Sequence, residues 1–510
     1  MAISARAVVP RSRMWGLNWG LLDKLAPRPV SAKAQKAHDL TSAARATGLF
    51  SIPGRTPRLK AIYLLQIAAE IEHSLMLQYL YAAYSIDQTF AYGEGDARSE
   101  TVNRWRRDIR MVARQEMAHL ITVQNLLIGV GGNVYLQREN NFLTHPDEYP
   151  FPTTFEKLSR ASVAKYVATE GPDPRSIESP QEQRLLTRIL QEAKASVHHK
   201  VNRVGALYAV LYWLFMESDR GQGPWRISDE ARGGILDVGL GGVHLRDNDF
   251  ASRDEFHRFA ATREEWDVYE PRMRVDRTDP RRYALNAIHW IMAQGEGFEP
   301  LKSKATMPSH FHVFMNLFKE MTAKTVDLGA AILDVPTNPV ATGIGEADTP
   351  RTKSLRITNP VAKLWAQLCD LRYQMLLLDL LLALSTERAN SLRSTLTNWA
   401  VAHEMRFVGR IAQLLPRLNA RPTGSLRSGA PFETIAFPDD DGKRWDVQAV
   451  LMAGTVSVIQ RLKKRGDVDD VHRAILDEIL AFDRSRRAIV EDNRHSKTRY
   501  RWRNGRVQRG

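Results

Sequence analysis

Hydrophobic and polar positions along this chain recur mostly with the period of helices, and runs with the two-residue period of strands are sparse. The first helical run opens at Thr56-Pro57, an N-cap followed by proline at the first helical position. It continues through LKAIYLLQIAAEIEHSLMLQYLYAAYSIDQ without glycine or proline. Few polar residues interrupt it, the pattern of a central helix buried on nearly every side. A second run over 101–130 stops at Gly131-Gly132. After a loop rich in Pro and Asn (133–154), a third helix is expected from Ser179-Pro180 to about Glu217. Residues 220–280, with the glycine-rich GGILDVGLGGVH, show no clear period. A fourth helix starts at Pro280 and ends in AQGEGFEP, and a fifth follows Ser309.

VPTNPVATGIGEADTP (335–350) reads as a linker or long surface loop, and beyond it lies a second helix pair, 361–385 and 389–418. The expected organisation is an N-terminal tail (1–55), a helical bundle (56–334), a linker (335–358), a second helical hairpin region (359–437), C-terminal helices (438–493) and a tail (494–510), an all-α chain. The second pair echoes the first. CDLRYQMLLLDLL (369–381) aligns with AEIEHSLMLQYLY (69–81), and VAHEMRF (401–407) with ARQEMAH (113–119). In that register Glu72 becomes Arg372, His73 becomes Tyr373, Glu116 remains an acid as Glu404 and His119 becomes Phe407. A degenerate repeat of this kind would pair Arg372 with Glu404 where the first copy holds an ion.

The chemistry of the first copy rests on ARQEMAHLITVQNLLIGVGG, residues 113–132. Residues three apart on a helix lie about 4.5 Å apart along the axis and about 60° apart in rotation, so Glu116 and His119 project together. Their stripe holds Val112, Ala113, Leu120, Val123 and Leu127, the side expected to face the core. A buried unpaired carboxylate is unfavourable by several kcal/mol or takes up a proton. A metal ion between the two groups removes that cost, because it takes a carboxylate and a neutral imidazole together. On the first helix Glu72 shares a stripe with Leu65, Ala68, Met76 and Tyr79, whereas Glu70 and His73 lie beside Gln66 and Ser74 on a wetter face. Glu72 is therefore the expected inward group. Bundle di-metal proteins take one Glu from each of two helices and Glu-x-x-His from each of the other two. The competing reading is a hydrogen-bonded Glu116–His119 pair without metal. Asp254 and His257 repeat the spacing by accident. On the third helix Glu192, His199, Ala206, Trp213 and Glu217 fall near one stripe, with no ligand at Ala206. Glu296 lies one turn beyond Met292 and is flanked by glycines that permit close backbone approach, and His310 sits at the start of the fifth helix.

Composition narrows the setting. A chain of 510 residues with 43% hydrophobic positions can bury a large core. Its single cysteine, Cys369, excludes an intrachain disulfide and fits the reducing cytoplasm. No apolar run reaches the length of a membrane span. The net charge of +14 is uneven: residues 1–60 carry +9, 494–510 carry +7, and the remainder carries −2. The basic ends read as solvated tails; the competing reading is binding of nucleic acid or an acidic membrane through its phosphates.

The series AAEIEHSLMLQYLYAAYS, ARQEMAHLITVQNLLIGVGG, VGALYAVLYW, AQGEGF with SHFHVF, and LRYQMLLLDLL with GAPFE resembles the ferritin-like domain of iminophenyl-pyruvate dimer synthases, enzymes of violacein- and indolocarbazole-type pigment pathways. The resemblance runs from about 57 to 437. It implies a ferritin-like helical bundle with an iron-type site and oxidative chemistry on a small metabolite. Carried over by motif, Glu72, Glu116, His119, Glu296 and His310 would be the metal ligands. The third-helix motif departs from the family's Gly-Glu-Leu-Tyr, reading Gly205-Ala206-Leu207-Tyr208. That leaves one metal, or an asymmetric pair completed by Glu217 or His199. The pigment enzymes are also much longer.

The expected function is that of a ferritin-like non-haem iron oxidoreductase or oxygenase. It would use oxygen or peroxide on a small, amino-acid-derived metabolite, with one or two iron ions and manganese as the alternative metal. The rival readings are a ferritin-like protein that holds metal without turnover, and a metal-free helical scaffold whose tails bind nucleic acid.

Overall fold

In a computed structural model, residues 52–509 are described except 53, 94, 139–153, 173–176, 178, 198–202, 222–231, 233–234, 237–238, 268–273, 280, 297–308, 325, 343–354, 466–467, 495–499 and 504–505. The basic segment before residue 52, and His199, lie outside the described residues. The chain is an all-α helical bundle, with almost no strand among the described residues.

Helix α1 (Pro57–Tyr84) starts where the sequence places it, with Thr56 Oγ1 accepting from Leu59 N at 3.2 Å. It pairs along its length with α2 (Ala97–Gly129), capped by the Asp96 side chain. Gly131 takes the left-handed φ of 66° that ends α2. A Cβ there would collide with the Arg58 guanidinium, whose Nε donates to Val130 O at 2.7 Å and ties the start of α1 to the end of α2.

The expected third helix is instead two, α4 (Pro180–Val197) and α5 (Val204–Phe215). Before them lies a helix that the sequence pattern does not announce, α3 (Arg160–Glu170), held at its start by a capping box between Ser159 and Ser162. Two short helices follow, α6 (Arg253–Phe259) and α7 (Arg263–Asp267), then α8 (Arg281–Glu296), α9 (His310–Thr322) and the single turn α10 (Leu328–Ala331). Helices α1, α2, α5 and α8 pack around a common interior, and α3 lies against α4, α5 and α9. No described helix is long and apolar enough to cross a membrane.

A two-residue parallel pairing, β1 (Pro339–Val340) with β2 (Leu355–Arg356), precedes the second half. There α11 (Pro360–Ser385) packs against α12 (Ser391–Asn398), a π-helical segment at Trp399–Glu404, and α13 (Met405–Leu414). It also packs against α14 (Asp441–Lys463), which in turn contacts α15 (Asp470–Asp492). The C-terminal basic stretch, expected as a solvated tail, contains an antiparallel hairpin, β3 (Tyr500–Arg503) with β4 (Arg506–Arg509), lying beside α14.

The mostly apolar interior of this second half encloses an ionic cluster. Arg372 Nε donates to Glu404 Oε2 at 2.8 Å, and its Nη1 donates to both Asp483 oxygens at 2.9 Å. Arg486 Nη1 lies 3.1 Å from both Asp379 Oδ2 and Glu404 Oε1. Burial, opposed by Arg486 and reinforced by Glu404, pushes the Asp379 carboxyl up to about 8. With Asp379 protonated, two guanidinium groups face two carboxylates. Because its pKa is higher folded than unfolded, its contribution is present at acid pH and is lost as pH rises through about 8. Thermal melts of Asp379→Asn from pH 6 to 9 are expected to fall less toward the alkaline end than those of the parent.

Candidate metal centre

Helix α1 is buried on all faces, so exposure does not separate Glu72 from its neighbours: Glu70 is 1% and His73 0% exposed. The wetter face expected for them is a second buried polar seam. Glu70 accepts from the Tyr135 hydroxyl. His73 Nε2 accepts from the Tyr373 hydroxyl at 2.7 Å, and burial, aided by the Arg138 guanidinium, pushes His73 down to about 3 and keeps it neutral. Glu72 points the other way, toward α2.

There Glu72, Glu116 and His119 bring one ligand-capable atom each within 4.8 Å of one another, all buried. Glu116, Glu170 and His310 form a second such group. Glu116 belongs to both. Its Oε2 lies 3.0 Å from His119 Nδ1, and its Oε1 lies 3.0 Å from His310 Nδ1. Glu72 Oε2 stands 3.4 Å from His119 Nδ1, and Glu170 Oε2 stands 3.7 Å from His310 Nδ1.

The far side of each imidazole decides what the near side can do. His119 Nε2 donates to Gln294 Oε1 at 2.9 Å, and His310 Nε2 donates to Gln115 Oε1 at 3.0 Å. In a neutral ring each Nδ1 is then a lone pair aimed at a carboxylate oxygen. Two lone pairs converging on one point require a proton or a cation between them. Glu116 Oε1 and His310 Nδ1 are buried and make no hydrogen bond although they face each other. Carboxylates with imidazoles whose remote N–H is anchored form a donor set that fits an iron- or manganese-type ion.

Protonation in the ion-free state agrees. Burial, then the Glu116 charge, pushes Glu72 up to about 7. Burial would lower His310, but Glu116 and Glu170 outweigh it and hold the ring up to about 9. His119 is likewise raised against burial by Glu116 and Glu72. Tyrosines hold the outer carboxylates: Tyr208 donates to Glu72 Oε1, and Tyr79 donates to Glu170 Oε1 at 2.5 Å. Beside the cluster is a cavity of about 10 Å³ bounded by Leu75, Gly205, Met292 and Gly295, among others, room for one water-sized molecule. A Cβ on Gly295 would stand 3.0 Å from Glu170 Oε2, so glycine there permits the close approach of α8.

Four of the five residues singled out from the sequence, Glu72, Glu116, His119 and His310, thus meet in space. Glu296 ends α8 beside Gly295, and its side chain lies outside the described residues. Glu217 is exposed and lines a separate surface cleft with Asp219 and His244, so it does not complete the set. The carboxylate missing at Ala206 is matched by Glu170 from α3, a residue that sequence reasoning misses. Its only local signal is the capped turn Ser159–Ser162 opening a helix that stops at Gly171-Pro172. Asp254 is exposed on α6, and His257 lies 3.7 Å from Asp279, outside both groups.

Removing the hydroxyl in Tyr208→Phe leaves Glu72 without its anchor. Metal affinity measured by chelator competition is expected to fall about 10–100-fold, with helicity unchanged.

The ferritin-like family model matches residues 65–224, the span that carries Glu72, Glu116, His119 and Glu170. Dichlorochromopyrrolate synthase of Lentzea aerocolonigenes is 26% identical over 362 residues, which is 64% of this chain and 31% of that protein's length. No solved structure matches the chain. The segment that brings Glu72, Glu116, His119 and Glu170 to the cluster is thus similar to a ferritin-like domain, and His310 joins it from α9, beyond the matched span.

Proposed function

We propose that this chain is a non-haem iron oxidoreductase or oxygenase acting on a small, amino-acid-derived metabolite. One observation carries the reading: Glu116 turns one oxygen to each of two buried carboxylate–imidazole groups, the arrangement of a carboxylate shared by two cations. Glu72 and His119 would hold one ion and Glu170 and His310 the other, with Glu296 a further ligand at the end of α8. Manganese fits the same donors. Similarity to a synthase supports chemistry on a small molecule.

When bound, the metal would supply activation of oxygen or peroxide at an open coordination position. The chain's own contribution is positional. Gln115 and Gln294 fix the tautomer of each histidine and turn Nδ1 inward. Tyr79 and Tyr208 donate to the outer oxygens of Glu170 and Glu72 and so fix the orientation of the two carboxylates. Leu75, Ile291 and Met292 wall the small cavity beside the carboxylates.

That small volume would equally suit a protein that holds metal without turnover, and oxygen consumption separates the two. Iron-loaded protein is to be compared with Glu116→Ala/His119→Ala by elemental analysis and with an oxygen electrode under added reductant. Bound iron with oxygen uptake, both lost in the variant, is the expected result. Bound iron without uptake would leave a metal-holding protein, and no iron in either would end the metal reading.

A further inference from the structure

The ionic centre of the second half follows a rule. In bundle di-metal proteins two helices each give one Glu and the other two each give Glu-x-x-His, all pointing inward. Here α11 gives Arg372, the π-helical segment gives Glu404 with Phe407 three residues on in α13, α14 gives Gln448, and α15 gives Asp483 with Arg486 three residues on. All six are buried. They join in one network: Gln448 Nε2 donates to Asp379, Asp379 accepts from Arg486, Arg486 meets Glu404 and Asp483, and both acids bind Arg372. Phe407 completes the second position, with the Arg372 guanidinium 5.5 Å over its ring. The π-helical segment ends at Glu404, and such irregular turns recur at functional positions.

A second observation is independent of that network. His73 and Tyr373 occupy equivalent positions on α1 and α11 in the internal alignment, and they hydrogen-bond to each other at 2.7 Å. In a twofold pair, residues beside the axis meet their own equivalents. Three residues earlier the parallel continues. Glu70 accepts from Tyr135 on the segment after α2, and its counterpart Asp370 accepts from Glu433 N at 2.8 Å on the segment after α13.

We infer that residues 360–492 are a second ferritin-like bundle, paired with the first about a pseudo-twofold axis near His73 and Tyr373, in which Arg372 and Arg486 stand where metal ions would stand. Each guanidinium is a fixed cation that satisfies the same inward carboxylates without an exchangeable ion. The family match over 65–224 covers only the first bundle, and the inference stands whether or not that bundle turns over a substrate.

The test restores the ligand types at those positions in the full chain, with the first centre disabled. Arg372→Glu/Phe407→His/Arg486→His is combined with Glu116→Ala/His119→Ala and titrated with Co²⁺, reading visible absorption and bound metal by equilibrium dialysis. Uptake is expected to rise from none in the Glu116→Ala/His119→Ala parent to about one Co²⁺ per chain, and adding Glu404→Ala is expected to abolish it. A folded variant that binds no more Co²⁺ than its Glu404→Ala control would overturn the inference. Should the variant be unfolded without metal, circular dichroism decides: Co²⁺-dependent recovery of helicity supports the assignment, and a variant that stays unfolded at every Co²⁺ concentration overturns it.

Discussion

Glu116→Ala is expected to empty the whole centre, while Glu170→Ala removes only part of it. Elemental analysis of iron-loaded protein should fall from about two ions per chain to almost none in the first variant and to about one in the second. The asymmetry follows from position. Glu116 alone faces both His119 and His310 at 3.0 Å, so its loss strips a ligand from both groups and leaves two imidazoles with no shared acid. Glu170 touches only the His310 side, and Tyr79 is its other partner. Equal loss in the two variants would contradict a shared carboxylate and point to one ion held by all five groups. No loss in either would return Glu116 and His119 to a metal-free buried pair.

Arg372→Met should be the most damaging single change in the second half. It removes a fully buried guanidinium that binds Glu404 and Asp483 and leaves two carboxylates facing one remaining cation, Arg486. Breaking one side of a buried ion pair destabilises by about 3–5 kcal/mol, whereas replacing both partners by apolar groups of similar volume is often neutral. Arg372→Met/Asp483→Leu keeps Arg486 balanced against Glu404, so denaturant unfolding should show it more stable than Arg372→Met alone. Additive losses in the double variant would mean that charge balance is not what Arg372 supplies.

Much of this is legible in the residues alone. The proline-capped start of α1 and the glycine stop of α2 are local signals, and both ends appear where the residues place them. Glu72 faces the carboxylate–imidazole cluster and Glu70 does not, yet burial is not the ground that separates them, since both are buried and differ only in what they face. The Arg372–Glu404 contact expected from the internal echo is present. Helix α3 is short, begins on a serine cap and carries no long apolar period, so Glu170 has no stripe to announce it. The single third helix proves to be two, because a continuous helical composition from 180 to 217 does not reveal the extended Arg203 that precedes the second.

Local periodicity thus determined that α1, α2, α8 and α9 are helices and that Glu116 and His119 share a face, because both depend on residues within a turn of one another. The convergence of Glu170 and His310 on Glu116, and the anchoring of the two imidazoles by Gln115 and Gln294, depended on the tertiary structure alone. Those contacts join segments whose relative angle and depth are set by helix packing across the whole bundle, and a lone pair finds its partner only after that packing is complete.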